Sequence, residues 1–156
     1  MAEIDNRVYE ICQEITQAIK DTILSKRLDA SGNLSNSIET YFDIEGETYS
    51  VIIELADYWK YVEDGRGPGK FPPPDQIKEW IRFKHVVPSA RSSRKVPSTD
   101  QVAYLIGRKI ATQGTKATHF LSETLESPQV LEMLGEIEDL VADSFVKEIN
   151  EEIDKI

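Results

Sequence analysis

Between Gly65 and Pro74 the chain reads GRGPGKFPPP, three glycines and four prolines in ten residues. No helix can start directly behind Lys70, because Pro72, Pro73 and Pro74 lack amide donors and clash with a preceding turn. Gly65, Gly67 and Gly69 permit backbone turns that a β-carbon blocks. Pro68 and the triple proline remove chain freedom, leaving a loop that is costly to build and stiff once built. Just ahead of it, Tyr58, Trp59 and Tyr61 supply anchoring area together with Val62. Such a loop suits docking against another protein, since its ordering entropy is spent before binding. Arg66 and Lys70 are carried on it as fixed cations. The plainer alternative is a crossover that merely connects the elements on either side.

A glycine-rich run ending in Gly-Lys also raises the question of a phosphate cradle. A P-loop requires Gly, four residues, then Gly-Lys followed by Ser or Thr, with a helix starting at once. Here three residues separate Gly65 from Gly69, and Phe71 stands where the hydroxyl belongs. The dinucleotide fingerprint fails as well, because the glycines fall at 65, 67 and 69. His85 and His119 are distant in sequence, neither has a second ligand at helical spacing, and Cys12 stands alone, so no metal site is expected. His119, beside Phe120, reads as a packing residue, and His85 as a surface residue ending a helix. A nucleophile, base and acid cannot be assembled without choosing serines arbitrarily. The expectation is a protein without cofactor, metal or catalysis.

The chain has 156 residues, 40% of them apolar and 29% charged, which is enough for one globular domain with a real core. No run is long and apolar enough to span a bilayer, and no membrane partner is expected. The acidic opening MAEIDNRVYE resembles neither a signal nor a transit peptide, and a single cysteine requires no oxidising compartment. The net charge of −10 argues against general nucleic-acid binding. Its distribution is uneven: residues 1–59 carry 4 cations and 12 anions, residues 60–116 carry 12 and 5, and residues 117–156 carry 2 and 11. Either these segments neutralise one another within the monomer, or the basic middle of one copy meets an acidic surface of another.

Apolar periodicity places the elements. Ile4, Val8, Ile11, Ile15, Ile19 and Ile23 predict an amphipathic helix over about residues 3–24. IETYFDI and TYSVIIEL, separated by EGE, read as a hairpin. Asp75 is expected to cap a short helix, QIKEWIRFK, with Ile77, Trp80 and Ile81 on one face. HVVPSARSSRKVP, residues 85–97, has no period and reads as a mobile basic loop carrying Arg91, Arg94 and Lys95. Ser98 and Gln101 form a capping box for a helix stopped by Gly114, with Val102, Leu105, Ile106 and Ile110 facing inward. THFLSETL fits a short strand or one helical turn. Pro128 opens a last helix with a stripe at Val130, Leu134, Ile137, Val141, Phe145, Ile149 and Ile153. That helix is about 40 Å long at about 1.5 Å per residue, and is expected to project from the core or pack along the first helix or a neighbouring chain. The fold class is therefore α+β: a small antiparallel twisted sheet with a hairpin, N-terminal and central helices, and a long C-terminal helix. Residues 1–127 form the body, and 128–156 form a helical extension of the same domain.

SGNLSNSI ahead of the hairpin, then YWKYVEDGRGPGKFPPPDQIKEWI, then AYLIGRKIATQGTKATHFL, resembles the tail-completion and head–tail joining (neck) proteins of long-tailed bacteriophages. The resemblance spans about residues 30–125, and YVEDGRGPGKFPPP is its most specific part. It implies an α+β virion protein, made in the bacterial host cytoplasm, that assembles into a homo-oligomeric ring, typically a hexamer, at the head–tail junction. The implied partners are further copies of itself, the tail tube protein, and a head-closure or portal-associated connector; DNA passes through the bore without specific binding. The implied work is mechanical. A close relative of this reading is a head-closure or adaptor ring on the portal, often twelve-fold; a rival of another class is a DNA-binding accessory protein. The candidate partner-binding residues are Tyr58, Trp59, Tyr61, Glu63, Gly65, Arg66, Lys70 and Phe71, with Arg91, Arg94 and Lys95 expected to order against a neighbouring ring.

Overall fold

Ile11, Ile15, Ile19 and Ile23 are spaced four apart, and in the computed structural model they line one stripe of helix α1 (Ala2–Ser25) with no exposed surface. The structure describes residues 2–45, 48–87 and 95–155, with side chains from residue 6 onward. β-branched residues are indifferent helix formers, so α1 owes its stability to what covers the stripe. Leu34 of the short helix α2 (Asn33–Asn36), Ile38, Phe120, Leu121, Val130, Ile137 and Val141 close over it. Each such side chain contributes roughly 1.5–3 kcal/mol on burial. The chain is α+β, as its sequence predicts.

Strands β1 (Glu39–Glu45) and β2 (Thr48–Glu54) pair antiparallel, with Thr40 opposite Ile53 and Phe42 opposite Val51. Alternation puts these four on the face turned to α1, where the Thr16 hydroxyl donates to the Thr40 hydroxyl at 2.7 Å. Two strands alone are barely stable in water; packing on α1 holds them. Among the described residues the hairpin is the whole sheet, and its connecting residues Gly46 and Glu47 lie outside them.

Helices α4 (Pro74–Phe83) and α5 (Thr99–Gln113) form a second, smaller core from Ile77, Ile81 and Ala103. The Ser98–Gln101 capping box is present in full, and Gly114 ends α5 with φ at 72°. Three details differ from the sequence reading. Pro73, not Asp75, precedes the first turn of α4, and Asp75 sits inside that turn without capping it. Trp80 is 43% exposed and Leu105 57% exposed. The buried side of α5 instead presents Ala103 and Gly107, and a β-carbon at Gly107 would meet the Phe71 ring and the Ile77 side chain. Of residues 85–97, positions 88–94 lie outside the described residues.

THFLSETL resolves as helix α6 (Phe120–Leu125), and α7 (Pro128–Ile153) follows it, capped by Ser127, whose side chain accepts from the Val130 amide. Near the start of α1, Arg7 forks onto Glu136 with Nε and Nη2 at 2.6 and 2.9 Å. Near its end, Thr124 of α6 donates to the Thr22 hydroxyl at 2.7 Å. The long helices therefore run antiparallel. Val130, Ile137 and Val141 belong to the same core as α1, so the helix divides at Val141: its first half is built into the body and its second half extends past it. Among the described residues no helix is long and apolar enough to cross a membrane.

Candidate docking surface

The stretch that reads as a stiff loop begins with a helix. Trp59–Asp64 form α3, although Trp, Tyr and Val favour strands. Its C-terminal carbonyls find partners elsewhere: the Val62 carbonyl accepts from the Thr118 hydroxyl at 2.6 Å, and the Glu63 carbonyl from the amides of Thr118 and His119 at 3.0 and 3.1 Å. In return, the Glu63 carboxylate accepts from the amides of Leu121 and Ser122 at 2.8 and 3.2 Å, and from the Ser122 hydroxyl. The first amides of α6 have no cap of their own, because His119 makes no side-chain cap bond. Two short helices thus cap each other. Burial opposes ionisation of Glu63, but the Ser122 hydroxyl, the two amides and nearby His119 outweigh it and hold its carboxyl below the usual carboxylate range.

Glu63, expected to meet a partner, is 7% exposed, and its carboxylate is engaged within the fold instead of standing free at the surface. Trp59 likewise packs against the main core. His119 is exposed, with φ at 50°, and shapes the entry to α6 through its backbone instead of packing. None of this is visible locally, because the partners lie more than fifty residues apart. The one sequence signal is that α6 begins behind a histidine instead of a capping residue, so its amides need a carboxylate from elsewhere.

Beyond α3 the chain is sewn to the end of α5. Arg66 and Thr115 form a two-bond bridge, Arg66 N–H donating to the Thr115 carbonyl at 3.1 Å and Thr115 N–H to the Arg66 carbonyl at 2.7 Å. Gly69 N–H donates to the Ala111 carbonyl at 2.9 Å. The bridge needs glycine on both sides. Gly65 and Gly114 have φ of 74° and 72° with ψ near 180°, and a β-carbon on either would overlap the facing backbone. Gly67 and Gly69, expected to serve the same purpose, have ordinary φ and open space around them. The Arg66 guanidinium donates to the Lys70 carbonyl at 3.2 Å, bracing the loop from within. Phe71 lies over Gly107 and stacks on Tyr104 with ring centroids 5.7 Å apart.

What faces outward is an aromatic and basic shoulder. Tyr58, Tyr61 and Phe71 are exposed, Tyr61 by 63%, and Lys70 is exposed beside them in sequence. Of the loop cations, Lys95 is exposed, and Arg91 and Arg94 lie outside the described residues. Next to the bridge a groove of about 550 Å³ is lined by Tyr58, Tyr61, Val62, Arg66, Pro72, Ile110, Thr115, Lys116 and Thr118. Among the described residues no three His, Cys, Asp or Glu side chains converge as metal ligands would. No protein-family model matches the chain, and no curated protein or solved structure matches it either.

Proposed function

We propose that this chain is a ring-forming structural subunit of a bacteriophage neck, completing the tail and joining it to the head, and that it acts by docking instead of catalysis. The observation that carries the reading is electrostatic. Among the described residues the basic middle and the acidic ends share no ion pair: Lys78 pairs with Asp75 and Asp100 inside the middle, while Arg7 with Glu136 and Lys26 with Glu123 join one acidic end to the other. The opposite charges of the described residues are therefore not paired across the segments, which favours a partner over self-neutralisation. Copies arranged head to tail bring such unlike surfaces together, and a heterologous interface closes into a ring when its rotation allows.

The sewn shoulder supports the same reading. YVEDGRGPGKFPPP and AYLIGRKIATQGTKATHFL, the segments that carry the phage resemblance, meet at the Arg66–Thr115 bridge. Their small residues serve a rigid backbone crossing. A hexamer at the end of the tail tube, with the tube protein on one side and the head-closure or portal connector on the other, uses such a rigid surface. Net acidity lets DNA slide through the bore without adhering to it.

Particles made without this chain are expected to accumulate filled heads apart from tails that lack their terminal ring, and purified protein is expected to join them, as counted by electron microscopy. Joined, infectious particles in its absence would overturn the reading. A twelve-fold ring seated on the portal would assign it to head closure. Tight DNA binding that falls steeply with salt would make it a DNA-binding accessory protein.

A further inference from the structure

Beyond Val141, the last buried residue of α7, Phe145, Ile149 and Ile153 continue the apolar stripe at 41%, 59% and 60% exposure. This end extends for about 18 Å at about 1.5 Å per residue. Asp143, Glu148, Glu151, Glu152 and Asp154 flank the stripe, against only Lys147 and Lys155. An acidic helix with one apolar stripe fits a basic groove with an apolar lining. The groove beside the bridge has that character: Tyr61, Val62, Pro72 and Ile110 line it with Arg66 and Lys116, and no carboxylate is among its described lining residues.

The two surfaces sit at opposite ends of the molecule. Lys26, just past the end of α1, donates to the Thr118 carbonyl at 3.0 Å, which places the groove at the C-terminal end of α1. The antiparallel α7 leaves the body at the N-terminal end, past Arg7 and Glu136. The intervening helix of 24 residues measures about 36 Å, so α7 cannot reach the groove of its own chain. Extending this reading of the chain as a ring subunit, we infer that the free end of α7 of one copy lies in the α3–Pro72–α5 groove of the next. The occupant is a second copy of this chain, held head to tail by a contact between unlike surfaces.

Two full-length chains of distinguishable size test this, one carrying Ile149→Cys and the other Tyr61→Cys, with the buried Cys12 left in place. Mild oxidation of the mixture is expected to link unlike chains, and a chain carrying both substitutions is expected to give a ladder of linked oligomers. In sedimentation, Ile149→Ser should weaken self-association about tenfold or more, as should higher salt, while the unfolding midpoint of dilute, dissociated protein stays put. Linking of Ile149→Cys chains to one another without Tyr61→Cys would mean that two α7 ends pair, overturning the inference. Association indifferent to Ile149→Ser, with no unlike-chain link, would also overturn it but leave a ring built through another surface. Solitary chains at every concentration, with no link, would overturn both the inference and the ring.

Discussion

The carboxylate of Glu63 takes a hydrogen bond at 2.8 Å from the amide of Leu121, 58 positions further along the chain. Glu63→Ala removes the cap of α6 and leaves buried amides without partners, at a cost of about 1–3 kcal/mol each. The expected result is a clear fall in the urea midpoint. Glu63→Gln keeps one acceptor oxygen and should lose less.

The same carboxyl makes stability pH-dependent. Its value is lower when folded than when unfolded, so the stabilisation is complete above the unfolded carboxylate value of about 4.3. It disappears as pH falls through the lower folded value. Urea titrations at stepped pH should therefore show wild type and Glu63→Gln converging below about pH 4, with the full gap at neutrality.

Gly65 and Gly114 occupy a backbone region that is essentially reserved for glycine. Alanine at either should cost about 3 kcal/mol, because the strained φ and the overlap with facing backbone act together. Gly67→Ala, with open space around it, should change stability by less than about 0.5 kcal/mol. Thermal melts of the three variants distinguish a bridge that requires glycine from a stretch that is only rich in it.

Thr16 and Thr40 are both buried and bonded to each other. Either Thr→Val change alone strands the other hydroxyl and should cost about 1–3 kcal/mol. The double change removes both hydroxyls and should cost less than the sum of the single changes, an interaction that a double-mutant cycle measures directly.

The two halves of α7 should respond oppositely to substitution. Ile137→Ala in the main core should cost about 2–5 kcal/mol, whereas Phe145→Ser on the projecting half should leave chemical denaturation of dilute protein within about 0.5 kcal/mol of wild type. Equal losses would mean that the free end belongs to the core.

Elements with their own periodicity or punctuation were legible in the sequence. The isoleucine ladder of α1, the β-rich runs of the hairpin, and the Ser98–Gln101 box of α5 each carry their signal within a few residues. What escaped is decided at a distance. Helix α3 has strand-like residues and exists because Thr118 and His119 bond the carbonyls at its end. The inward face of α5 is marked by Ala103 and Gly107, which an apolar count overlooks in favour of the exposed Leu105. The shoulder was recognisable from its glycines and prolines, but which glycines matter depends on Thr115 and Arg66 lying opposite them.

The separate small core of α4 and α5 implies uneven resistance to opening. Among the described residues the buried side chains of that core are Ile77, Ile81 and Ala103, against eleven in the main cluster. Sub-global unfolding should begin in that helical pair, so its amides should exchange with deuterated solvent well before those of α1. A neighbour gripping this region would act as a clamp on the least protected part of the molecule, and slowed exchange there would report its arrival.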